Sequence, residues 1–373
     1  MLLQTRSDSE TEPPLNSLRL GIIGCGNIGK RHAANFLAHG YKVYVYDINP
    51  DSMEALPSQG ANITQNCAEV GRCADIIFTA LPTPPDVVTA VLEGENSLIQ
   101  GLKPGSIYID ITTNAPETIL KLHQAMTQQG VKMLDAPFND CPVGAKSQKG
   151  MGLAVMASGD RNTFDSVQPL LQLMADRVLY CGEISSATKC KLIHNAVNAT
   201  AVQAVSEGIT LALAEGIALE TIWDSLRFGA FGQNAGDIHG LPHYWFSRRC
   251  DDPTRHPAFH VKLLHKDVRL AVNMATGQNI YVPHLSLTVK DYEEAEDRGW
   301  SNYSTTKVTC LQEERAGVMA KASLPIDSNI DSNSASPQLQ SKLSQKFRFS
   351  LYTVLILVLA SNLLQFGLYW LLK

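Results

Sequence analysis

The chain has 373 residues, with 31 Lys and Arg against 36 Asp and Glu for a formal net charge of −5. At 45% apolar and 18% charged residues it is neither disordered nor a coiled coil as a whole. Roughly 100–200 residues per domain gives about two domains, and the mildly acidic balance without a long basic run argues against nucleic-acid binding.

Residues 1–17 are polar, carry Pro13-Pro14 and read as a flexible leader with no signal sequence. Over 18–182, short β-rich runs alternate with helical stretches: LRLGII at 18–23, VYVY at 43–46, DIIFTAL at 75–81, SIYID at 106–110, VKMLDA at 131–136, LAVMA at 153–157 and RVLYC at 177–181. This pattern predicts an α/β domain, a Rossmann-type doubly wound parallel sheet with crossover helices. From 183 to 318 the β-branched runs fade and an all-α domain is expected, with one proline-free helix from near Ser185 to Ala214. Residues 319–348 are rich in Ser, Asn, Asp and Gln and read as a linker.

Residues 351–372 contain no charge. About 22 residues in a helix span roughly 33 Å, enough for a bilayer core. Tyr352 near one end and Tyr369 with Trp370 near the other fit interfacial positions, and Lys342, Lys346 and Arg348 precede the run while only Lys373 follows. Residues 349–373 therefore read as a single-pass C-terminal transmembrane anchor that leaves the body in the cytosol. A buried helix or a dimerisation segment is the competing reading, opposed by the scarcity of polar residues beyond Ser361, Asn362 and Gln365.

The eight cysteines are scattered without a C-x-x-C pair and read as reduced thiols of an intracellular body. Five of the ten histidines fall between His239 and His265, but no H-E-x-x-H or cysteine partner accompanies them, and no metal site is expected.

The strongest local signal lies at the start of the body. An apolar strand runs into Gly24-Cys25-Gly26-Asn27-Ile28-Gly29, a helix follows, and a second strand ends at Asp47. Gly24 permits the tight turn, Gly26 lets backbone approach a pyrophosphate, and Gly29 allows close helix–strand packing. The helix start offers N–H groups and a positive dipole end to phosphates, and Asp47 stands where a carboxylate accepts ribose hydroxyls. A dinucleotide is expected here. A carboxylate repels a 2′-phosphate, and Ile48 and Asn49 supply no cation, so the cofactor is expected to be NAD rather than NADP. Cys25 reads as a small residue of the loop, with redox sensing as its alternative.

In the long helix Lys191 and Asn195 are i, i+4 neighbours, and Asn198 is expected to continue their face. Beside a nicotinamide, a buried lysine could exchange a proton with a hydroxyl or carbonyl while Asn195 holds the same oxygen. Taken alone, the pair reads equally as a solvated face. His194 is open between supporting that site and filling a core.

The order of these motifs resembles the β-hydroxyacid dehydrogenase family, which includes 3-hydroxyisobutyrate dehydrogenase, tartronate semialdehyde reductase and 6-phosphogluconate dehydrogenase. The resemblance covers about residues 18–307. Leu81-Pro82 resembles the family's Leu-Pro segment, and Asp110-Ile111-Thr112-Thr113 its Asp-x-Ser-Thr. Asp135-Ala136-Pro137 opens the substrate motif and Gly144-Ala145 closes it, Lys191-x-x-His194-Asn195 matches the catalytic segment, and Lys266-Asp267-x-x-Leu270-Ala271 matches the later Lys-Asp-x-x-Leu-Ala.

The resemblance implies that Lys191 is the general acid/base and that Asn195 positions substrate. Leu81, Pro82, Thr112, Thr113 and Lys266 would join Gly24, Gly26, Asn27, Ile28, Gly29 and Asp47 around the cofactor. Asn139, Asp140 and Cys141 would face the substrate with Lys191 and Asn195. The expected activity is that of an NAD(P)-dependent oxidoreductase interconverting a small 3-hydroxy acid and its semialdehyde or keto acid. The alternatives are a reductase of another carbonyl or imine, or a membrane-tethered NAD-binding sensor without turnover. A homodimer through the helical domain is also implied.

Three departures stand against the pattern. Phe138-Asn139-Asp140-Cys141 replaces Val-Ser-Gly-Gly, removing a hydroxyl and two permissive glycines and adding a negative charge. The segment after Gly144-Ala145 is one or two residues longer, and its Lys146 and Lys149 either offset Asp140 or stand in solvent. Ser185-Ser186-Ala187 takes the place of Gly-x-Gly, where small side chains should still permit close packing.

Overall fold

The computed structural model describes residues 18–140, 153–229 and 259–318, with the backbone alone at Asp140. Two compact units divide the chain, Met1–Lys321 and Ala322–Lys373, and every described residue belongs to the first. Among the described residues no helix is long and apolar enough to cross a membrane. The apolar run 351–372 lies outside them.

Six strands form a parallel sheet in the order β3-β2-β1-β4-β5-β6. They are β1 (Arg19–Ile23), β2 (Lys42–Tyr46), β3 (Asn62–Ile63), β4 (Ile76–Thr79), β5 (Ile107–Asp110) and β6 (Lys132–Asp135). This is the doubly wound dinucleotide-binding order. Its hydrophobic runs are continuous because both faces are covered. Alternate residues feed two cores: Leu20, Ile22, Ile76, Phe78, Ile109 and Leu134 point to one, and Ile23, Ile77, Tyr108 and Met133 to the other.

The crossovers are α1 (Asn27–Ala38), α2 (Cys67–Cys73), α3 (Pro84–Leu92) and α4 (Pro116–Gln128). Asn66 caps α2 by accepting from Glu69 N at 2.9 Å, and Pro84 and Pro116 open α3 and α4 where a missing N–H costs nothing. Helix α1 is the exception: its N-cap is Gly26, no side chain caps it, and its first turn holds no acid.

Beyond β6 the sheet turns a corner. Strand β8 (Leu153–Gly159) runs antiparallel to β6, with Asp135 opposite Ser158; β7 (Phe138–Asp140) pairs antiparallel with β8; and β9 (Arg177–Tyr180) runs parallel to it. Helix α5 (Arg161–Met174) packs beneath. All seven sequence-predicted strands are present. The two additional ones are the two-residue β3 and β7, which lies in the stretch that departs from the family's substrate motif.

The remaining described elements are helical: α6 (Ser186–Ala214), α7 (Leu219–Phe228), α8 (Val261–Gly277), α9 (Pro283–Asp297) and α10 (Thr309–Ala316). Leu192, Ala196 and Ala199 of α6 form a core with Val261, Leu264 and Val268 of α8 and with Tyr292 of α9. Each fully buried Leu or Val there contributes about 2 kcal/mol, and this packing holds the catalytic helix candidate in place. An α/β sheet domain followed by a helical domain is the architecture.

Candidate active site

The glycine turn shows why each residue is required. Gly24 has φ +90°, and a Cβ there would overlap the Ala80 carbonyl; a Cβ at Gly29 would overlap the Gly24 carbonyl oxygen. Gly26 differs, since a Cβ on it would meet nothing within 4 Å. The space before the uncapped start of α1 is thus open at the position where a pyrophosphate must come close, so the residues present fit a dinucleotide. Asn27 is exposed, and Ile28 packs its side chain on the sheet core.

Asp47 follows β2 directly. Its Oδ2 accepts from Cys25 N at 2.6 Å and its Oδ1 from Asn49 N at 2.8 Å, which locks the carboxylate against the glycine turn. Cys25 itself is fully buried, and burial, with Asp47 nearby, pushes its thiol up to about 12. A thiol held protonated is a packing group, not a redox nucleophile. On the other side of the turn, Leu81 N donates to Thr112 Oγ1 at 3.0 Å, and Pro82 is exposed. Thr112 N in turn donates to the fully buried Asp110, which also accepts from Thr79 and Asn114.

The second half of the site comes from α6 and α8. Lys191, 9% exposed, donates from Nζ to Asn139 Oδ1 on β7 at 2.9 Å. Asn195, one turn further along, donates from Nδ2 to Asp267 Oδ2 at 2.7 Å. Lys266 on α8 reaches across to the Thr113 carbonyl at 2.7 Å and lies 3.1 Å from Asp267 Oδ1. Burial pushes the Asp267 carboxyl up, and Lys266, Lys191 and Asn195 act against that shift. One connected set of polar groups therefore joins β7, α6, α8 and the loop after β5.

Of the expected substrate residues, Asn139, Lys191 and Asn195 come together. The Asp140 side chain, Cys141, Lys146 and Lys149 lie outside the described residues. Asn198, seven residues on and therefore on the same side of α6 as Lys191, is exposed, while Ala199 next to it is buried. His194 is exposed and so is not a core histidine.

Asp267 is the participant that sequence reasoning quoted without a role. Its signal is present: it falls among Leu264, Val268 and Ala271 at helical spacing, and a carboxylate in an apolar stripe needs polar partners across the interface.

Residues 19–182 match the family model for the NAD binding domain of 6-phosphogluconate dehydrogenase, and residues 185–309 match that for the NAD-binding region of NADP-dependent 3-hydroxyisobutyrate dehydrogenase. The chain belongs to the β-hydroxyacid dehydrogenase family, and among its relatives are NAD(P)-dependent dehydrogenases that act on a hydroxyl group. It is 24% identical over 302 residues to 2-(hydroxymethyl)glutarate dehydrogenase of Eubacterium barkeri, covering 81% of this chain and 97% of that one. It is 28% identical over 280 residues to the human cytokine-like nuclear factor N-PAC, covering 74% of this chain and 48% of that protein, so it spans about half the length of that relative. Among solved structures, the 3-hydroxyisobutyrate dehydrogenase of Mycobacterium tuberculosis superposes with a TM-score of 0.66 at 22% identity, over 79% of this chain and 99% of that one. That likeness is one of fold.

Proposed function

We propose that the protein interconverts a small 3-hydroxy acid and its semialdehyde or keto acid, with NAD as cofactor, Lys191 as general acid/base and Asn195 as the group that orients the reacting oxygen. The observation that carries this reading is the buried Lys191–Asn195 pair on one face of α6, joined through Asp267 and Lys266 to the loop at Thr113. A bound nicotinamide supplies the hydride acceptor. The neutral amine of Lys191 takes the proton from the substrate hydroxyl, and its protonated form returns it in the reverse direction. Asn195 keeps one N–H on Asp267, which fixes the amide plane, and offers its second to the substrate oxygen. Asn139 holds the lysine Nζ on its carbonyl side and turns its amide nitrogen toward Met156 Sδ, a weak partner at 3.7 Å that an incoming oxygen can replace.

Support for NAD comes from Asp47, whose carboxylate is held at the end of β2 against the glycine turn, where its charge would oppose a 2′-phosphate, with Ile48 and Asn49 beside it in place of a cation. The altered segment at 138–141 favours a second reading, an NAD-binding protein without turnover. Lys191→Ala separates the two. In purified full-length protein assayed against short 3-hydroxy acids, it should lower kcat by about 10²–10⁴ while NAD binding, read by fluorescence titration, stays within about twofold. Native protein that binds NAD but turns over none of these acids would sink the dehydrogenase reading, and tighter binding of NADP would sink the cofactor preference.

Two further proposals concern placement. A stripe on α6, Val197, Ala201, Ala204, Gly208 and Leu211, faces outward, with Val197 58% and Leu211 64% exposed. A second copy of the chain packing on it would form a homodimer. The uncharged run 351–372 supports a membrane anchor with the body on the cytosolic side. Deletion of 349–373 should release the protein from membranes as an active dimer; a truncated protein that still sediments with membranes would contradict the anchor.

A further inference from the structure

We propose that Asp135, Ser158 and Thr188 form a clamp that positions Lys191, gripping the start of α6 from the same sheet corner that carries Asn139. The inference rests on Lys191 being the acid/base of the proposed reaction.

A helix leaves its first N–H groups without intrahelical partners, and α6 does not solve this with its own cap. Ser185 at the N-cap has φ +73°, makes no side-chain cap, and leaves its buried Oγ without a hydrogen-bond partner. The caps come from the sheet. Ala187 N donates to Ser158 Oγ at 3.0 Å, and Thr188 N donates to Asp135 Oδ2 at 2.8 Å. Thr188 Oγ1 adds a bond to Asp135 Oδ1 at 2.8 Å, and Ser158 Oγ closes the set with one to Asp135 Oδ2 at 3.2 Å. Ser186 N and Lys189 N are satisfied locally by Glu183 O and Ser185 O. Every early amide of α6 is accounted for, and the two in the middle are held by side chains 29 and 53 residues away in sequence.

The geometry of this grip bears on the lysine. Thr188 and Lys191 are i, i+3 on the buried face, so fixing the rotation of α6 at Thr188 fixes where the Lys191 stem leaves the helix. Asp135 ends β6, Ser158 stands opposite it on β8, and Asn139 pairs with Ala154 on the same β8. The acceptor of the lysine Nζ and the anchor of its helix are therefore parts of one rigid corner. Asp135, Ser158 and Thr188 are all essentially unexposed. Burial pushes the Asp135 carboxyl up to about 7 against the opposing pull of Thr188 and Ser158. A carboxyl is thus kept here at a cost in stability, which is the pattern of a group retained for geometry.

The test uses Thr188→Val, which removes one arm of the clamp at constant volume, Ser158→Ala, which removes another, and Thr188→Ser as the conservative rescue. Lys191 acetylation by an N-hydroxysuccinimide ester is read by mass spectrometry against the exposed neighbour Lys189 as internal standard, alongside kcat, the KM for NAD, and melting. The clamp predicts that Thr188→Val and Ser158→Ala each lower kcat about tenfold or more and change the Lys191-to-Lys189 labelling ratio at least threefold. The KM for NAD stays within twofold, and Thr188→Ser restores both readouts. A lower melting temperature with kcat and the labelling ratio unchanged would show ordinary structural support and overturn the clamp. If native protein shows no turnover, the labelling ratio alone decides: a changed ratio keeps the clamp and rejects the acid/base role of Lys191, and an unchanged ratio rejects the clamp.

Discussion

The glycine turn at Gly24–Gly29 and the sheet corner of Asp135, Asn139 and Ser158 both deliver polar groups to the site, yet they are built by different means. The turn is local: six consecutive residues leave β1, bend where Gly24 alone tolerates the backbone, and open onto an uncapped helix. The corner is assembled across the chain, since Asp135 meets Thr188 fifty-three residues later and Asn139 meets Lys191 fifty-two later. A local device is constrained by backbone sterics, which here bar a side chain at Gly24 and Gly29. An assembled device is constrained by hydrogen-bond partners, which can be exchanged as long as each buried group keeps one.

The sharpest way to break this contrast is inside the turn itself. Gly29→Ala drives a Cβ into the Gly24 carbonyl and should destabilise the sheet domain by about 3 kcal/mol or more. Gly26→Ala adds the same methyl to open space, so thermal unfolding should stay close to native while NAD affinity falls about tenfold, or 1.4 kcal/mol. Equal loss of stability in both variants would show that the turn is a packing feature throughout and not a cradle.

A second test reaches the seam between the two regions. His32 lies on the buried face of α1, stacked at 4.9 Å on Phe138 of β7, and neither ring nitrogen has a hydrogen-bond partner. Burial, with a smaller contribution from Arg31, pushes its pKa down to about 4. The unfolded chain therefore binds a proton below about pH 6.5 that the folded protein refuses until about pH 4. Stability from this group is complete above 6.5 and is lost as pH falls through that window, by about 3 kcal/mol at its end. His32→Leu should abolish this acid limb. Asp135, raised toward 7, acts with the opposite sign over part of the same range, so denaturant unfolding is compared as variant minus native, in which Asp135 cancels. A difference that does not vary between pH 4 and 7 would mean the imidazole is solvated.

The same contrast explains what could be read in advance. The strands at Leu20–Ile23, Ile76–Thr79 and Ile107–Asp110 were legible because burial on both faces writes a continuous apolar run. The long α6 was legible from its lack of proline. Strand β7 was not: Phe138-Asn139-Asp140 is short and half polar, and only pairing with β8 makes it a strand. Helical spacing puts Asn198 on the side of Lys191, but it could not tell that this position stays exposed while Lys191 and Asn195 are buried. The partners of Asp135 could not be found at all, since nothing along the chain marks residues 23 and 53 apart as neighbours. The geometry of the glycine turn is thus written locally, and that around Lys191 is written in the packing of one domain on the other.

The smallest expected effect tests whether the corner tolerates what the turn does not. Ser185 stands where the family favours glycine, and it adopts the left-handed conformation, φ +73°, with a buried hydroxyl that has no partner. The strain of a non-glycine residue in that region is about 1–3 kcal/mol, and an orphaned hydroxyl adds about 1 kcal/mol or more. Against this, glycine loses about 1 kcal/mol more backbone entropy on folding. Ser185→Gly should therefore stabilise the protein by about 1 kcal/mol, a shift visible in urea unfolding midpoints. With the Asp135 clamp intact, the gain should come with native kcat, because the clamp and not Ser185 sets the register of α6. A stabilised variant with reduced kcat would move the positioning role from the sheet corner to the strained residue before the helix, and would make α6 a locally built element like the turn.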